Sequence, residues 1–191
     1  MDAYDWDKTV FRYDTTGRFF VYCCRRYPAV RRYLGVALKI ALRHISGKAP
    51  IPAMKQEFYR YLTCLPDVEA AVRDFWARNS PLIGSPAMPC SPKPGDVILS
   101  ASGEFLLRDV CRERGLVLIG SLIDPATGTQ TGPDCSGEEK VRRFRERFGE
   151  DVRLERWYSD SLSDTPMARL ARRPFLVSPK GIKPWPDDAL R

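Results

Sequence analysis

The sequence predicts an α/β fold: a Rossmann-like, three-layer core built on a parallel sheet, with an inserted helical cap. Two observations predict it. After residue 95, short apolar runs of strand length alternate with helical patterns, which is typical of right-handed βαβ units covered on both faces. Between the first short apolar run and residue 80, apolar residues recur at helical spacing instead. The composition (191 residues, 43% hydrophobic, 29% charged) excludes collagen-like, coiled-coil and largely disordered chains.

The expected elements follow from these runs. We expect strands at residues 1–5, 97–99, 116–119, 153–158 and 175–177, and core helices at 104–114, 138–148 and 165–171. Gly115 stops the first of these helices. Residues 124–137 are rich in turn-forming residues and predict a hairpin.

The helical region, roughly residues 16–79, predicts a cap over the carboxyl edge of the sheet. Pro50 and Pro52 break it internally. Five prolines between residues 80 and 94 predict a linker or surface loop after it. We therefore expect the core to comprise residues 1–14 and 81–191, and the helical cap residues 15–80.

Positive charge is concentrated in the cap. The net charge is +7, yet residues 15–56 contain no acidic residue and nine basic ones: Arg18, Arg25, Arg26, Arg31, Arg32, Lys39, Arg43, Lys48 and Lys55. A basic block on an otherwise balanced chain indicates a local surface that faces an anion, or simply a solvated helix face.

An apolar stripe runs through the same block at helical spacing: Leu34, Leu38, Leu42 and Ile45. With the basic residues around it, this stripe suits an interfacial helix on an anionic membrane. The same stripe also suits a cap helix that packs on its neighbours. The sequence leaves both interpretations open.

Other features point to a reduced, cytoplasmic protein. The six cysteines form no CxxC pair, and with a single histidine a zinc site has few ligands. The first residues lack a signal-peptide pattern. No apolar run reaches the roughly 20 residues of a membrane span.

Polar side chains follow the expected strands at the edge where ligands bind in such sheets. They are Asp5 and Asp7, Ser100, Asp160 and Asp164, with Lys140 near the start of a helix. Clustered carboxylates repel each other unless a cation neutralises them, and oxygen ligands suit Mg²⁺. A Mg²⁺ site beside a lysine and a hydroxyl suits a phosphoryl group.

These residues resemble the motifs of the haloacid-dehalogenase superfamily. Residues 5–9, Asp-Trp-Asp-Lys-Thr, are similar to the first motif, DxDx[TV], Ser100 to the second, and Lys140 to the third. Asp160 with Asp164 resembles the acidic fourth motif. Motif order and the helical insertion resemble the phosphoserine-phosphatase-like branch, which has a helical cap of the first type.

The resemblance implies a role for each residue. Asp5 would attack phosphorus and become an aspartyl-phosphate, and Asp7 would serve as acid and then base. Ser100, Ala101 and Lys140 would hold the phosphoryl group. Mg²⁺ would be bound by the Asp5 side chain, the Asp7 carbonyl and Asp160. Asp164 would act behind them, orienting Lys140 or metal-bound water.

The chain departs from the superfamily patterns in two places. Ser159 and Ser161 replace the glycines of the GDGxxD pattern, and Ser100-Ala101-Ser102 stands where SGG is frequent.

The leading hypothesis is a Mg²⁺-dependent phosphatase that hydrolyses a small phosphorylated metabolite. The alternative substrate is a lipid phosphate reached at an anionic membrane surface through the basic cap. A third hypothesis is a non-enzymatic module that binds nucleic acid or another anion. We expect no nucleic-acid partner, because uncompensated carboxylates repel phosphate. The sequence leaves the oligomeric state open.

Overall fold

A six-stranded sheet forms the centre of the computed structural model, which describes residues 1–47, 52–84 and 90–190. The strand order is β3-β2-β1-β6-β7-β8; the first five strands are parallel, and β8 runs antiparallel to β7. β4 and β5 form a separate hairpin. The strands are β1 (Asp2–Tyr4), β2 (Val97–Gly103), β3 (Val117–Ser121), β4 (Ile123–Asp124), β5 (Thr129–Gln130), β6 (Leu154–Ser159), β7 (Ala171–Ser178) and β8 (Gly181–Pro184).

Helices cover both faces of this sheet. In the described part of the chain, four lie between β1 and β2: α1 (Thr15–Arg26), α2 (Leu34–Ile45), α3 (Pro52–Tyr59) and α4 (Val68–Asn79). Four follow β2: α5 (Glu104–Glu113), α6 (Glu138–Phe148), α7 (Thr165–Ala168) and α8 (Asp187–Leu190). The predicted α/β class, with a Rossmann-like sheet and helices inserted after the first strand, is confirmed. The boundary between core and cap stays a prediction.

Strand alternation divides the core into two layers of side chains. Tyr4 and Ile98 pack on one face together with the cap aromatics, whereas Ala3, Leu99 and Trp157 pack on the other face with α6 and α7. Successive side chains of a strand point to opposite faces, so each central strand contributes to both layers. β1, β2 and β6 are thus buried on both faces and run parallel, so their carboxyl ends lie at the same edge of the sheet.

The carboxyl-terminal part differs from the prediction. The helix expected at 165–171 ends at Ala168, because Ala171 already begins β7. β8 was not predicted, since β7 and β8 carry charged residues and prolines instead of an apolar alternation. Beyond β8, Trp185 is buried and its backbone N–H donates to the Pro174 carbonyl at 3.0 Å.

Two sequence features at the cap fall partly outside the described residues. α2 ends at Ile45 and α3 begins at Pro52, but Pro50 lies outside the described residues. In the proline-rich stretch, Pro81 lies in a short 3-10 turn, Ser80–Leu82, whereas Pro86 and Pro89 lie outside the described residues.

Aromatic side chains build the interior of the cap. Phe19, Phe75, Phe20 and Tyr61 are buried and meet in edge-to-face or tilted pairs with ring centroids 5–6 Å apart. Such pairs contribute beyond the area they bury. The same cluster continues to Trp6 at the end of β1, so the cap and this face of the sheet share one hydrophobic core.

α2 packs through only one side. Val36, Ala37 and Ile40 are half-buried against the core. The predicted stripe is exposed instead: Leu34 by 51%, Leu38 by 60%, Leu42 by 56% and Ile45 by 83%. The interpretation in which this stripe packs on cap neighbours is therefore wrong. None of the helices in the described ranges is long and apolar enough to cross a membrane.

The β4–β5 hairpin fastens the cap to the core. Gln56 on α3 donates its side-chain amide to the Gly128 carbonyl and accepts from the Gln130 N–H, both at 3.0 Å. Lys55 pairs with Asp134 beside it. Gly128 has φ +70°, and a Cβ there would lie 2.3 Å from the Tyr59 carbonyl oxygen. Only glycine allows this close approach.

We expect Gly128→Ala to lower the free energy of unfolding by about 2–4 kcal/mol, through left-handed backbone strain and overlap with Tyr59. Gly47→Ala is the matched control, because Gly47 has the same φ and a Cβ there would meet nothing within 4 Å. It should cost only about 1 kcal/mol. Urea titrations compare the two; equal losses would show that the contact with Tyr59 contributes nothing.

Candidate active site

The carboxyl end of β1 carries Asp5 into a buried ion cluster. The Asp5 N–H continues the sheet by donating to the Tyr158 carbonyl at 2.8 Å. The Lys140 ammonium donates to Asp5 Oδ1 at 2.6 Å and to Asp164 Oδ2 at 2.7 Å. The side chains of Lys140 and Asp164 are 3% and 4% exposed, that of Asp5 12%. One cation from α6 thus bridges two carboxylates from different segments.

Burial dominates the electrostatics of this cluster. It raises the pKa of Asp5 to about 8, because lost solvation, together with the charges of Asp164 and Asp7, outweighs the attraction of Lys140. Burial alone would lower the pKa of Lys140, but the two carboxylates raise it overall. The lysine is therefore held charged, while burial disfavours the ionised form of Asp5.

The loop after β1 orients Asp7. Its Trp6 carbonyl accepts N–H bonds from Thr9, Val10 and Phe11, and Lys8 adopts a left-handed φ of 58°. This tight loop turns the Asp7 side chain toward α1 and β2, where it meets Thr15 and Ser102.

Both oxygens of the Asp7 carboxylate are hydrogen-bonded. Oδ1 accepts from the Thr15 N–H at 2.8 Å and from the Thr15 hydroxyl, and Oδ2 accepts from the Ser102 hydroxyl at 2.7 Å. The Trp6 indole N–H in turn donates to Thr15 Oγ1 at 3.0 Å. Burial raises the pKa of Asp7 to about 7, and the negative charge of Asp14 adds to the effect. The hydrogen bonds from Thr15 and Ser102 oppose it.

β2 places the second predicted segment beside Asp7. Ser100 is fully buried, and its Oγ accepts from the Ser102 N–H at 3.1 Å. Ala101 is exposed. Ser102, not Ser100, supplies the side chain that contacts Asp7. The sequence did mark Ser102 as unusual, because it stands where the second superfamily motif frequently has a glycine.

The fourth predicted segment follows β6. Asp160 is half-buried, and burial raises its pKa, whereas Lys8 and Lys140 oppose the shift. The Ser159 hydroxyl donates to Asp164 Oδ2 at 2.7 Å. The serine that replaces a motif glycine therefore fixes Asp164, which in turn fixes Lys140.

The neighbours of Lys140 on α6 serve a different purpose. The guanidinium groups of Arg142 and Arg143 both pair with Glu139, and Arg143 also donates to the Gly120 and Pro133 carbonyls. Only Lys140, of these three basic side chains, contacts Asp5.

The donor set at this edge fits Mg²⁺. The Asp5 and Asp160 carboxylates and the Asp7 carbonyl offer oxygen donors of the kind that Mg²⁺ prefers, and burial raises the pKa of both carboxyl groups, with the charge of Asp164 adding to the effect. Among the described residues, no three His, Cys, Asp or Glu side chains form a cluster spaced for a metal. The predicted ligand set is of another kind, since it uses two carboxylates and a backbone carbonyl.

We expect Lys140→Met to lower the free energy of unfolding by about 3–5 kcal/mol, because it leaves two buried carboxylates without a counter-charge. Arg142→Met is the matched control: Arg142 also pairs with two carboxylates on α6, but its side chain is 53% exposed. Its loss should cost about 1 kcal/mol or less. Similar values for both variants in urea denaturation would contradict the importance assigned to the buried cluster.

Comparison with known proteins places this geometry in a family. The profile of the haloacid dehalogenase-like hydrolases matches residues 3–169. Protein CicA of Caulobacter vibrioides is 37% identical over 81 residues, which cover 39% of this chain and 36% of that protein. The match thus spans only about a third of the length of this relative.

Solved structures share the fold. A protein of unknown function from Bordetella pertussis Tohama I superposes with a TM-score of 0.71 at 18% identity, covering 91% of this chain and 87% of that one. A phosphoserine phosphohydrolase-like protein from Francisella tularensis gives 0.53 at 13% identity, covering 91% and 84%. A phospho-aspartyl intermediate analogue of phosphoserine phosphatase gives 0.51 at 15% identity, covering 91% and 83%.

The predicted resemblance to this superfamily, and to the fold of its phosphoserine-phosphatase-like branch, is confirmed. With a family profile that spans most of its length and a sheet edge that carries the motif residues, the chain belongs to the haloacid dehalogenase-like hydrolase family.

Proposed function

We propose that the chain is a Mg²⁺-dependent phosphomonoester hydrolase that forms an aspartyl-phosphate on Asp5. One observation carries the proposal: the Asp5 carboxylate is held by the buried Lys140 ammonium, beside the hydrogen-bonded carboxylate of Asp7. A nucleophile and a proton carrier two residues apart are what phosphoryl transfer through a covalent intermediate needs.

In the first step, an Asp5 carboxylate oxygen attacks phosphorus. The bond from phosphorus to the leaving oxygen breaks, and that oxygen takes its proton from the Asp7 carboxyl group. Burial raises the pKa of Asp7, which favours the protonated form that this step needs.

In the second step, water attacks the phosphorus of the acyl phosphate and gives a proton to the Asp7 carboxylate. The bond between phosphorus and Asp5 breaks, which releases phosphate. Asp5 is then an ionised carboxylate again, and Asp7 is again protonated. Lys140 and Ser100 are the candidates for holding the phosphoryl oxygens, with Ala101 in the same segment.

Asp5, Asp160 and the Asp7 carbonyl would hold Mg²⁺, which supplies positive charge to the phosphoryl oxygens when bound. Asp164 would act through Lys140, since it accepts from the ammonium and from Ser159. It would keep the lysine directed at the position of the phosphoryl group.

We expect the purified chain to hydrolyse p-nitrophenyl phosphate only with Mg²⁺, and Asp5→Asn to lower kcat by about a thousandfold or more, since the amide is no nucleophile. The exposed Asp151→Asn variant is the matched control and should retain activity. Turnover by Asp5→Asn, or turnover that EDTA leaves unchanged, would contradict the proposal. Mg²⁺ should also raise the Tm of the wild type.

One surface feature of the cap supports a lipid substrate. The four stripe residues of α2 are at least half exposed, and Arg31, Arg32 and Lys39 beside them are exposed as well. A stripe of apolar residues flanked by basic ones matches an anionic lipid surface, where leucines enter the acyl boundary and cations meet headgroups. We therefore propose a lipid phosphomonoester as the substrate, in place of the small metabolite.

We expect the chain to bind phosphatidylserine vesicles, and Leu38→Glu/Leu42→Glu to weaken binding by about tenfold or more, because it removes two anchors and adds repulsion. Leu122→Glu/Ile182→Glu is the matched control, with the same charge change on exposed residues outside α2. Neither variant should alter hydrolysis of p-nitrophenyl phosphate.

Vesicle flotation and turnover of phosphatidic acid in the same vesicles measure both effects. Equal binding by the two variants would contradict the membrane role of α2. Hydrolysis of soluble phosphates without hydrolysis of phosphatidic acid would assign the small-metabolite class instead.

A further inference from the structure

The indole ring of Trp157 faces the buried ammonium group of Lys140. The Lys140 Nζ lies over this ring, 5.3 Å from its centroid. Trp157 is fully buried, and the Lys140 side chain is only 3% exposed. The negative face of an aromatic ring attracts a cation within about 6 Å of its centroid, and the attraction is strongest for tryptophan and where water is excluded. The pair therefore has the geometry and the burial of a strong cation–π contact.

Other cation–ring contacts in the described part of the chain lie near the surface. They join arginines to exposed or half-buried tyrosines: Arg12 and Arg18 to Tyr13, Arg26 to Tyr27, and Arg32 to Tyr33. Solvent weakens contacts of this kind. Among the described residues, the Trp157 contact alone joins a buried cation to a buried ring.

Lys140 has one hydrogen-bond donor to spare. A lysine ammonium carries three N–H groups. Asp5 Oδ1 and Asp164 Oδ2 accept from it at 2.6 and 2.7 Å, and no other oxygen within residues 1–47, 52–84 and 90–190 does so. The third N–H is thus left for a phosphoryl oxygen. Trp157 contributes through its ring alone, since its indole N–H has no partner in the same ranges.

β6 holds the lysine in two ways. Trp157 and Ser159 are two residues apart on this strand, so their side chains point to the same face of the sheet. Ser159 donates to Asp164, which accepts from Lys140, whereas Trp157 contacts the ammonium directly. The backbone of the same strand accepts from the Asp5 N–H. One strand therefore sets the positions of the candidate nucleophile and of the cation beside it.

We propose that Trp157 is a positioning residue whose ring face holds the Lys140 ammonium in place at the sheet edge, where the third N–H meets a phosphoryl oxygen. The inference rests on the proposed function and deepens it, because it assigns a fully buried residue behind the lysine to phosphate binding. Without the ring face, only the two carboxylates would hold the ammonium, and its position would be less fixed.

Fluorinated tryptophan tests the ring face while the core keeps its shape. Fluorine withdraws electron density from the face of the ring, so the attraction for a cation falls. The readout is the inhibition constant of inorganic phosphate against hydrolysis of p-nitrophenyl phosphate with Mg²⁺. We expect incorporation of 5,6-difluorotryptophan into the full chain to raise this constant by about threefold or more.

The Trp157→Phe chain is the control for this labelling, because all four tryptophans of the wild type are replaced. Fluorination of the three that remain should leave the inhibition constant of this variant unchanged. A merely structural role of Trp157 would not make phosphate binding follow the electron density of its ring.

Removal of the ring should have a larger effect. We expect Trp157→Met to raise the inhibition constant of phosphate by about tenfold, and Trp157→Phe, which keeps an aromatic face, to recover most of this loss. Trp185→Met is the matched control: Trp185 is buried in the same core cluster, and its indole N–H also lacks a partner in the described residues. It should lower the Tm but leave the inhibition constant unchanged.

An inhibition constant that does not respond to fluorination of the wild type, or that responds equally in Trp157→Phe, would overturn the inference and leave the proposed function intact. So would a Trp185→Met defect equal to that of Trp157→Met. The labelled chains decide the question even where Trp157→Met does not fold. A wild-type chain without Mg²⁺-dependent turnover of p-nitrophenyl phosphate would overturn both. A constant that rises with fluorination only where Trp157 is present would support the inference.

Discussion

The buried ammonium of Lys140 is the group on which the sheet edge depends. The fold places the carboxylates of Asp5, Asp7, Asp160 and Asp164 close together because their strands end at one edge, and such an arrangement repels itself. Lys140 contacts two of the four. It does not fully compensate them, since burial still raises the pKa of Asp5 and Asp160. The carboxylates that Lys140 does not contact are the physical basis for expecting a divalent cation, which would offset the charge of a phosphoryl group.

The cap has an interior face that contacts the candidate active site and an outer face, on α2, that is exposed to solvent. Its interior face continues the aromatic core of the sheet and sets the position of Thr15 beside Asp7 and that of Thr16 beside Ser102. Its outer face, on α2, leaves four large apolar residues in solvent among basic neighbours. α2 half-buries Val36 and Ile40 while its leucines stay exposed, and contiguous exposed apolar patches are typical of interaction surfaces. We infer that this exposed surface is part of the function, because the chain offers no inner partner for it among the described residues.

Much of the fold and the site could be predicted from local patterns. Alternating strands and helices predicted the sheet. Polar residues after strands, with Lys140 near the start of a helix, predicted a group at one edge that includes Asp5 and Asp7, because parallel strands end there. Ser102 and Ser159 were seen only as departures from glycine, since their partners Asp7 and Asp164 depend on side-chain direction within the folded chain. Periodicity showed which α2 residues share a face but not what covers that face. β8 was missed because pairing with β7, not an apolar pattern, defines it.

Chemical trapping of the intermediate tests the central claim most directly. The wild-type chain would be quenched in acid during turnover of p-nitrophenyl phosphate with Mg²⁺, reduced with borohydride and digested, because borohydride converts an aspartyl-phosphate to homoserine. Mass spectrometry of the peptides should then show homoserine at position 5 and unchanged aspartate at positions 7, 160 and 164. Steady turnover with Asp5 unmodified, or modification at another of these aspartates, would contradict the assignment of Asp5 as the nucleophile.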